Sequence, residues 1–90
     1  MRQADLLQGM KRDRESPLRS VVARNMRRLR QARGMSQEKL AFEAEIHRVN
    51  ISKIERGQHS LSLDNLFWIS RALGVSPTEL LTPTDETEQS

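Results

Sequence analysis

Cysteine is absent from this chain, which excludes disulfide bridges and thiolate-held metals. No apolar run approaches the roughly 18 residues that a membrane helix needs, and no hydrophobic leader follows the N-terminus. A cytoplasmic protein without a membrane partner is therefore expected. Nothing alternates apolar and polar residues with period two, so no sheet is expected. A glycine-rich phosphate loop is missing, and no carboxylate pair flanks an evident cleft. The only two histidines, His47 and His59, stand twelve apart in different elements. These absences argue against an enzyme, a metal centre or a bound cofactor. Ninety residues allow one small domain and leave no second domain to hold a small-molecule sensor pocket.

What the chain does have is charge, unevenly spread. The formal net charge is +3, but residues 1–60 hold 14 Lys/Arg against 7 Asp/Glu, or +7, and residues 61–90 hold 1 against 5, or −4. A basic front and an acidic back suit a module that binds a polyanion and carries a solvating tail.

Five helices can be read from caps and periodicity. Ser16 and Pro17 open the first, and Leu18, Val21, Val22, Met26 and Leu29 form its apolar stripe before Gly34. The second and third run over about 37–44 and 48–56. The fourth starts after Ser62 and is expected to carry Leu63, Leu66, Ile69, Ala72 and Leu73 inward, with Gly74 as its stop. Ser76-Pro77-Thr78-Glu79 reads as a capping box for a short fifth helix ending near Leu81. The helical domain is placed at 16–82. Residues 83–90 are read as an acidic, disordered tail, and residues 1–15 as a basic arm in which Leu6, Leu7 and Met10 could line a short helix beside Lys11, Arg12 and Arg14.

The chemistry concentrates in residues 36–57. Ser36 is an N-cap, Leu40, Ala41 and Ala44 face inward, and Ala41 is small enough to let two helices cross steeply. Ile46, Ile51 and Ile54 make a second apolar seam ending at Gly57. Arg48, Val49, Asn50 and Lys53 fall on the opposite side. A short helix with an aliphatic back and a cationic, amide-bearing front is suited to a DNA major groove.

The stretches NMRRLRQARGMSQEKLA, ISKIERG and SLDNLFWISRALGVSPTELL, spanning about residues 20–81, resemble the Cro/cI-type (XRE) helix-turn-helix family of regulators, including the controller proteins of restriction–modification systems. The resemblance implies an all-α, five-helix, lambda-repressor-like domain that binds double-stranded DNA. It assigns base contacts to Arg48, Val49, Asn50 and Lys53 and phosphate contacts to Gln37, Gln58, His59 and Ser60. It also implies a structural ion pair between Arg30 and Glu55. Arg24, Arg27 and Arg28 are read as solvated surface. Two positions depart from the family pattern. Glu45 occupies the turn slot where glycine is usual, and His47 stands where a stronger cap of the recognition helix is usual.

Phe67 and Trp68 fall off the main core face of the fourth helix when Ile69 is set at zero on a helical wheel. Two adjacent aromatics there point to a homodimer interface, and a dimer would place two reading helices about 34 Å apart on a palindromic site. Coverage by the fifth helix or by residues 1–15 is the competing expectation. An antitoxin-type protein with a toxin partner is the rival function, although residues 82–90 lack the apolar anchors of a partner-wrapping extension.

Overall fold

The computed structural model describes residues 14–84. Most of the basic arm, with Leu6, Leu7, Met10, Lys11 and Arg12, and residues 85–90 of the acidic tail lie outside the described residues. Five α-helices are present among the described residues: α1 (Leu18–Ala32), α2 (Gln37–Ala44), α3 (Arg48–Glu55), α4 (Leu63–Leu73) and α5 (Pro77–Leu81). None is long and apolar enough to cross a membrane.

Local hydrogen bonds set where the helices begin. The hydroxyls of Ser36 and Ser62 accept from the backbone N–H of Lys39 and Asn65, at 2.9 and 3.0 Å. Ser76 and Glu79 exchange two such bonds, each 3.3 Å, across the first turn of α5. Each bond satisfies a donor that the helix itself leaves unpaired. Ser16 acts one residue outside α1, its hydroxyl accepting from Leu18 N–H at 2.8 Å, while Pro17 holds helical angles as the flanking residue.

The core is aliphatic and draws on every helix. Val22 and Met26 of α1, Leu40, Ala41 and Ala44 of α2, Ile51 and Ile54 of α3, Leu66, Ile69 and Leu73 of α4, and Leu80 of α5 are all buried. Each large aliphatic among them contributes about 1.5–3 kcal/mol by leaving water. α1 packs on α3 and α5, α2 packs on α3 and α4, and α4 packs on α5, so the five helices close around one core.

Three expected core residues lie outside it, Val21 being half-buried and apart from the cluster. Leu63 is 83 % exposed and Leu18 is 48 % exposed. Both are the first residue of their helix, beyond the layer of facing side chains. Leu63 also sits about 120° from Ile69 around α4, at 100° per residue. A polar residue takes a core position instead: Asn25 of α1 is fully buried. Its amide Nδ2 donates to the carbonyls of Glu79, Leu80 and Thr82 at 3.2, 2.9 and 3.0 Å. One side chain of α1 thus caps the C-terminal carbonyls of α5.

Candidate nucleic-acid interface

The corner between α2 and α3 is built by the backbone. Glu45 adopts φ 58°, ψ 46°, the left-handed conformation, and is the one non-glycine residue with positive φ among the described residues. The N–H of Glu45 bonds the carbonyl of Phe42 at 3.3 Å and that of Ile46 bonds the carbonyl of Ala41 at 3.0 Å. This is the Schellman arrangement that closes a helix and redirects the chain, made without the glycine that usually fills it. Ile46 then turns back toward the core, and α3 starts at Arg48. His47 supplies no side-chain cap, although its carbonyl accepts from Asn50 and Ile51 N–H.

The inner side of α3 is fixed by a carboxylate. Glu55, buried at the C-terminal end of the helix, accepts from Arg30 Nε at 2.7 Å and Arg30 Nη2 at 3.0 Å. A third bond comes from Gln37 Nε2 at 3.0 Å. The fork of Arg30 is bidentate, and its Nη1 reaches the carbonyl of Met35 at 2.8 Å. The side chains of this pair are 11 % and 3 % exposed. Such a pair repays its desolvation only when the remaining donors and acceptors are satisfied, and here Gln37 and Met35 meet that condition. α1, α2 and α3 are thereby pinned at one point.

The outer side of α3 is nearly empty of partners. Arg48, Val49 and Lys53 are exposed, Val49 at 58 %. Asn50 is half-buried on the flank. Among the described residues the single ion-pair approach on this side is Arg48 Nε to Glu38 Oε2 of α2, at 3.8 Å with both side chains mostly in solvent. A contact of that kind is worth well under about 1 kcal/mol and leaves the guanidinium available. Beyond Gly57, the side chains of Gln58, His59 and Ser60 are exposed. Gln58 Oε1 accepts from Arg56 Nε at 3.3 Å, and Arg56 Nη1 donates to Ser52 at 2.7 Å. Arg56 therefore adds a cation beside the Gln58–Ser60 loop. It was not singled out from the sequence, although a cation next to the terminating Gly57 is a signal for it.

Gln37 opens α2, and its amide is engaged with Glu55 at the C-terminal end of α3. Arg27 and Arg28 are not simple solvated surface. Arg27 Nη1 donates to the Glu55 carbonyl at 3.3 Å and Arg28 Nη2 donates to Asn25 Oδ1 at 3.1 Å, and both residues are half-buried.

Phe67 and Trp68 stand apart from this surface on α4, 45 % and 49 % exposed. Their rings meet edge to face, with centroids 4.8 Å apart and an 83° interplanar angle. The fifth helix leaves them half open. Trp68 and the 80 % exposed Phe42 of α2 line one groove between α2 and α4, which also reaches Arg48. Phe42 went unnoticed in the sequence because it lies on the polar side of α2.

Comparison with known proteins agrees with this geometry. The helix-turn-helix family model HTH_3 matches residues 26–80. Control protein C.BamHI of Bacillus amyloliquefaciens is 51% identical over 65 residues, covering 71% of this chain and 80% of its own length. Among solved structures, the hypothetical transcription factor NHTF from Neisseria superposes with a TM-score of 0.73 at 39% identity, over 80% of this chain and 83% of that one. The restriction-modification controller protein C.AhdI from Aeromonas hydrophila gives 0.67 at 39% identity, over 69% and 94%.

Proposed function

The chain belongs to the helix-turn-helix family HTH_3, and from that premise we propose that it binds a palindromic operator as a two-fold dimer, reading bases with the outer face of α3. It is a helix-turn-helix transcriptional regulator related to restriction–modification controller proteins, a family without enzymatic activity. Control of a restriction–modification gene set is the role we carry over from those relatives. The relatives named above are regulators and control proteins, so the antitoxin reading is not favoured.

The observation that carries the proposal is the pairing of a locked back with a free front on one eight-residue helix. Arg48 can present its fork to guanine O6 and N7, and Val49 can meet a thymine methyl. Asn50 suits adenine, and Lys53 suits guanine or a phosphate. Gln58, His59 and Ser60, with the N-terminal end of α2 at Gln37, hold phosphates and fix the register. One α3 reads only a few base pairs, so a second copy supplies the rest of the specificity. Phe67 and Trp68 offer the apolar, aromatic surface on which such a dimer closes.

Selection of bound sequences from a random duplex pool tests the reading. A recovered motif with two inverted half-sites is expected, and a pool without enrichment would reject sequence-specific binding. Sedimentation of the protein alone and of Trp68→Ala tests the interface. A wild type that stays monomeric at micromolar concentration would remove Phe67 and Trp68 from that role.

A further inference from the structure

Arg56 follows the last residue of α3, and its backbone stays near the helical region at φ −92° and ψ 3°. At 100° per residue, with Val49 set at zero, Lys53 falls at about 40°, Ser52 at about −60° and Arg56 at about −20°. The buried Ile51, Ile54 and Glu55 all lie at about 120° or more from Val49. Arg56 therefore stands near the middle of the outer face, between Ser52 and Lys53. It is exposed, and none of the ion pairs among the described residues involves it.

The neighbours of its guanidinium are polar but uncharged. Arg56 Nη1 donates to Ser52 Oγ at 2.7 Å, and Arg56 Nε donates to Gln58 Oε1 at 3.3 Å. Nη2 donates to nothing among the described residues. A guanidinium only donates and an amide NH2 cannot accept, so the oxygen of Gln58 has to face Arg56. Gln58 Nε2 is then turned the other way, with no acceptor among the described residues. The backbone of Gln58 is fixed as well. Its N–H bonds the Lys53 carbonyl at 3.0 Å and that of Gly57 bonds the Ile54 carbonyl at 3.0 Å, a Schellman closure around Gly57 at φ 71°. Two donor groups, one of them cationic, thus stand without acceptors at the end of the reading helix. A backbone phosphate supplies acceptors only, and the opposite charge.

We propose that Arg56 is the positioning residue of a phosphate grip at the end of α3. It turns the amide of Gln58 outward as a donor, and its own Nη2 joins Gln58 Nε2 on one backbone phosphate. This role rests on the reading of α3 as the groove-entering helix, to which it adds a coupling between two side chains. The bond to Ser52 ties the guanidinium back to α3, so the grip keeps its place relative to Val49 and Lys53. The Arg56–Gln58 bond stands in solvent, and a phosphate closing over it excludes water and strengthens it. Without Arg56 the amide turns freely and presents its oxygen, which a phosphate repels, as readily as its nitrogen.

The test measures binding of the full chain to an operator selected from a random duplex pool and to a scrambled duplex of equal length. The variants are Arg56→Ala, Arg56→Lys, Gln58→Ala and the double replacement by alanine. Arg56→Ala weakens both duplexes alike by roughly tenfold or more, the scale of one charge-assisted hydrogen bond. It also flattens the log–log salt dependence by about 0.9. In the double variant the loss of Gln58 costs little further, a coupling of about threefold or more. Arg56→Lys restores the salt slope but not the coupling, since one ammonium lacks the fork that holds Gln58 and a phosphate at fixed angles. Additive effects in the double variant, or full recovery in Arg56→Lys, would overturn the positioning role. Lost preference at one operator position with scrambled binding unchanged would make Arg56 a base reader and overturn the grip. A wild type that binds no duplex would overturn the reading of α3 itself and the grip with it. A wild type that binds its operator, matched by Arg56→Ala, would overturn the grip alone.

Discussion

On its inner side α3 ends in a carboxylate that accepts three hydrogen bonds from Arg30 and Gln37, whereas on its outer side Arg48 has only a 3.8 Å approach to Glu38 and Val49 stands in solvent. The same two turns of helix are thus saturated on one face and unsatisfied on the other. The difference teaches how a small domain divides its tasks. Position is fixed by groups whose hydrogen bonds are already used. Recognition is left to groups whose hydrogen bonds are still open, so that a base edge completes them without first breaking a strong internal contact.

The sharpest way to break this contrast is to attack the inner face. Glu55→Ala strands the Arg30 guanidinium in a site that is nearly dry, and a loss of about 3–5 kcal/mol is expected. Arg30→Ala should do comparable damage, since it also releases the Met35 carbonyl. For a domain of this size the melting temperature should fall by more than roughly 10 °C. Thermal melts of the two variants check this, and wild-type melting in both would mean that the pair does not hold α3.

The outer face should respond in the opposite sense, with stability kept and recognition lost. Arg48→Ala and Lys53→Ala should melt within about 0.5 kcal/mol of wild type. A variant that loses a base contact relaxes the preference at one operator position by about 1–3 kcal/mol. One that loses a phosphate contact weakens every duplex alike and flattens the log–log salt dependence by about 0.9. Titrations on operator and scrambled duplexes at several salt concentrations separate these cases. A large stability loss in either variant would erase the distinction between the faces.

The smallest expected effect lies at the corner joining them. Glu45 holds a left-handed backbone with an exposed side chain. Glu45→Gly should therefore raise stability by about 1 kcal/mol, through relief of the Cβ strain less the added freedom of the unfolded chain. A chemical denaturation midpoint that does not rise would show that Glu45 makes a compensating contribution.

How much of this was legible in the sequence follows from the range of each interaction. The caps at Ser36, Ser62 and Ser76 involve partners three residues away, so a short window contains both donor and acceptor. The left-handed Glu45 was legible because a glycine slot was filled by something else. The roles of Arg30 and Glu55, 25 residues apart, came through resemblance, since no local pattern links them. Asn25 was missed for a physical reason: its partners lie 54 to 57 residues away, and an asparagine in an arginine-rich helix looks like surface. Leu63 was misplaced because counting it as apolar hid its angular distance from Ile69. The empty outer face of α3 could be read from spacing, but the groove that joins Phe42 to Trp68 could not, because it depends on how α2 and α4 cross.

The clamp that Asn25 places on α5 sets an order of opening. Five residues are far too few to hold a helix in isolation, so α5 persists only while Leu80 stays in the core and the amide of Asn25 holds its last carbonyls. α5 and its connection from Gly74 should then detach as one cooperative unit, at lower free energy than the packed α1–α4 body. Amide hydrogens of residues 78–82 would exchange through that partial opening while those of Met26, Ile51 and Ile69 wait for the whole molecule to unfold.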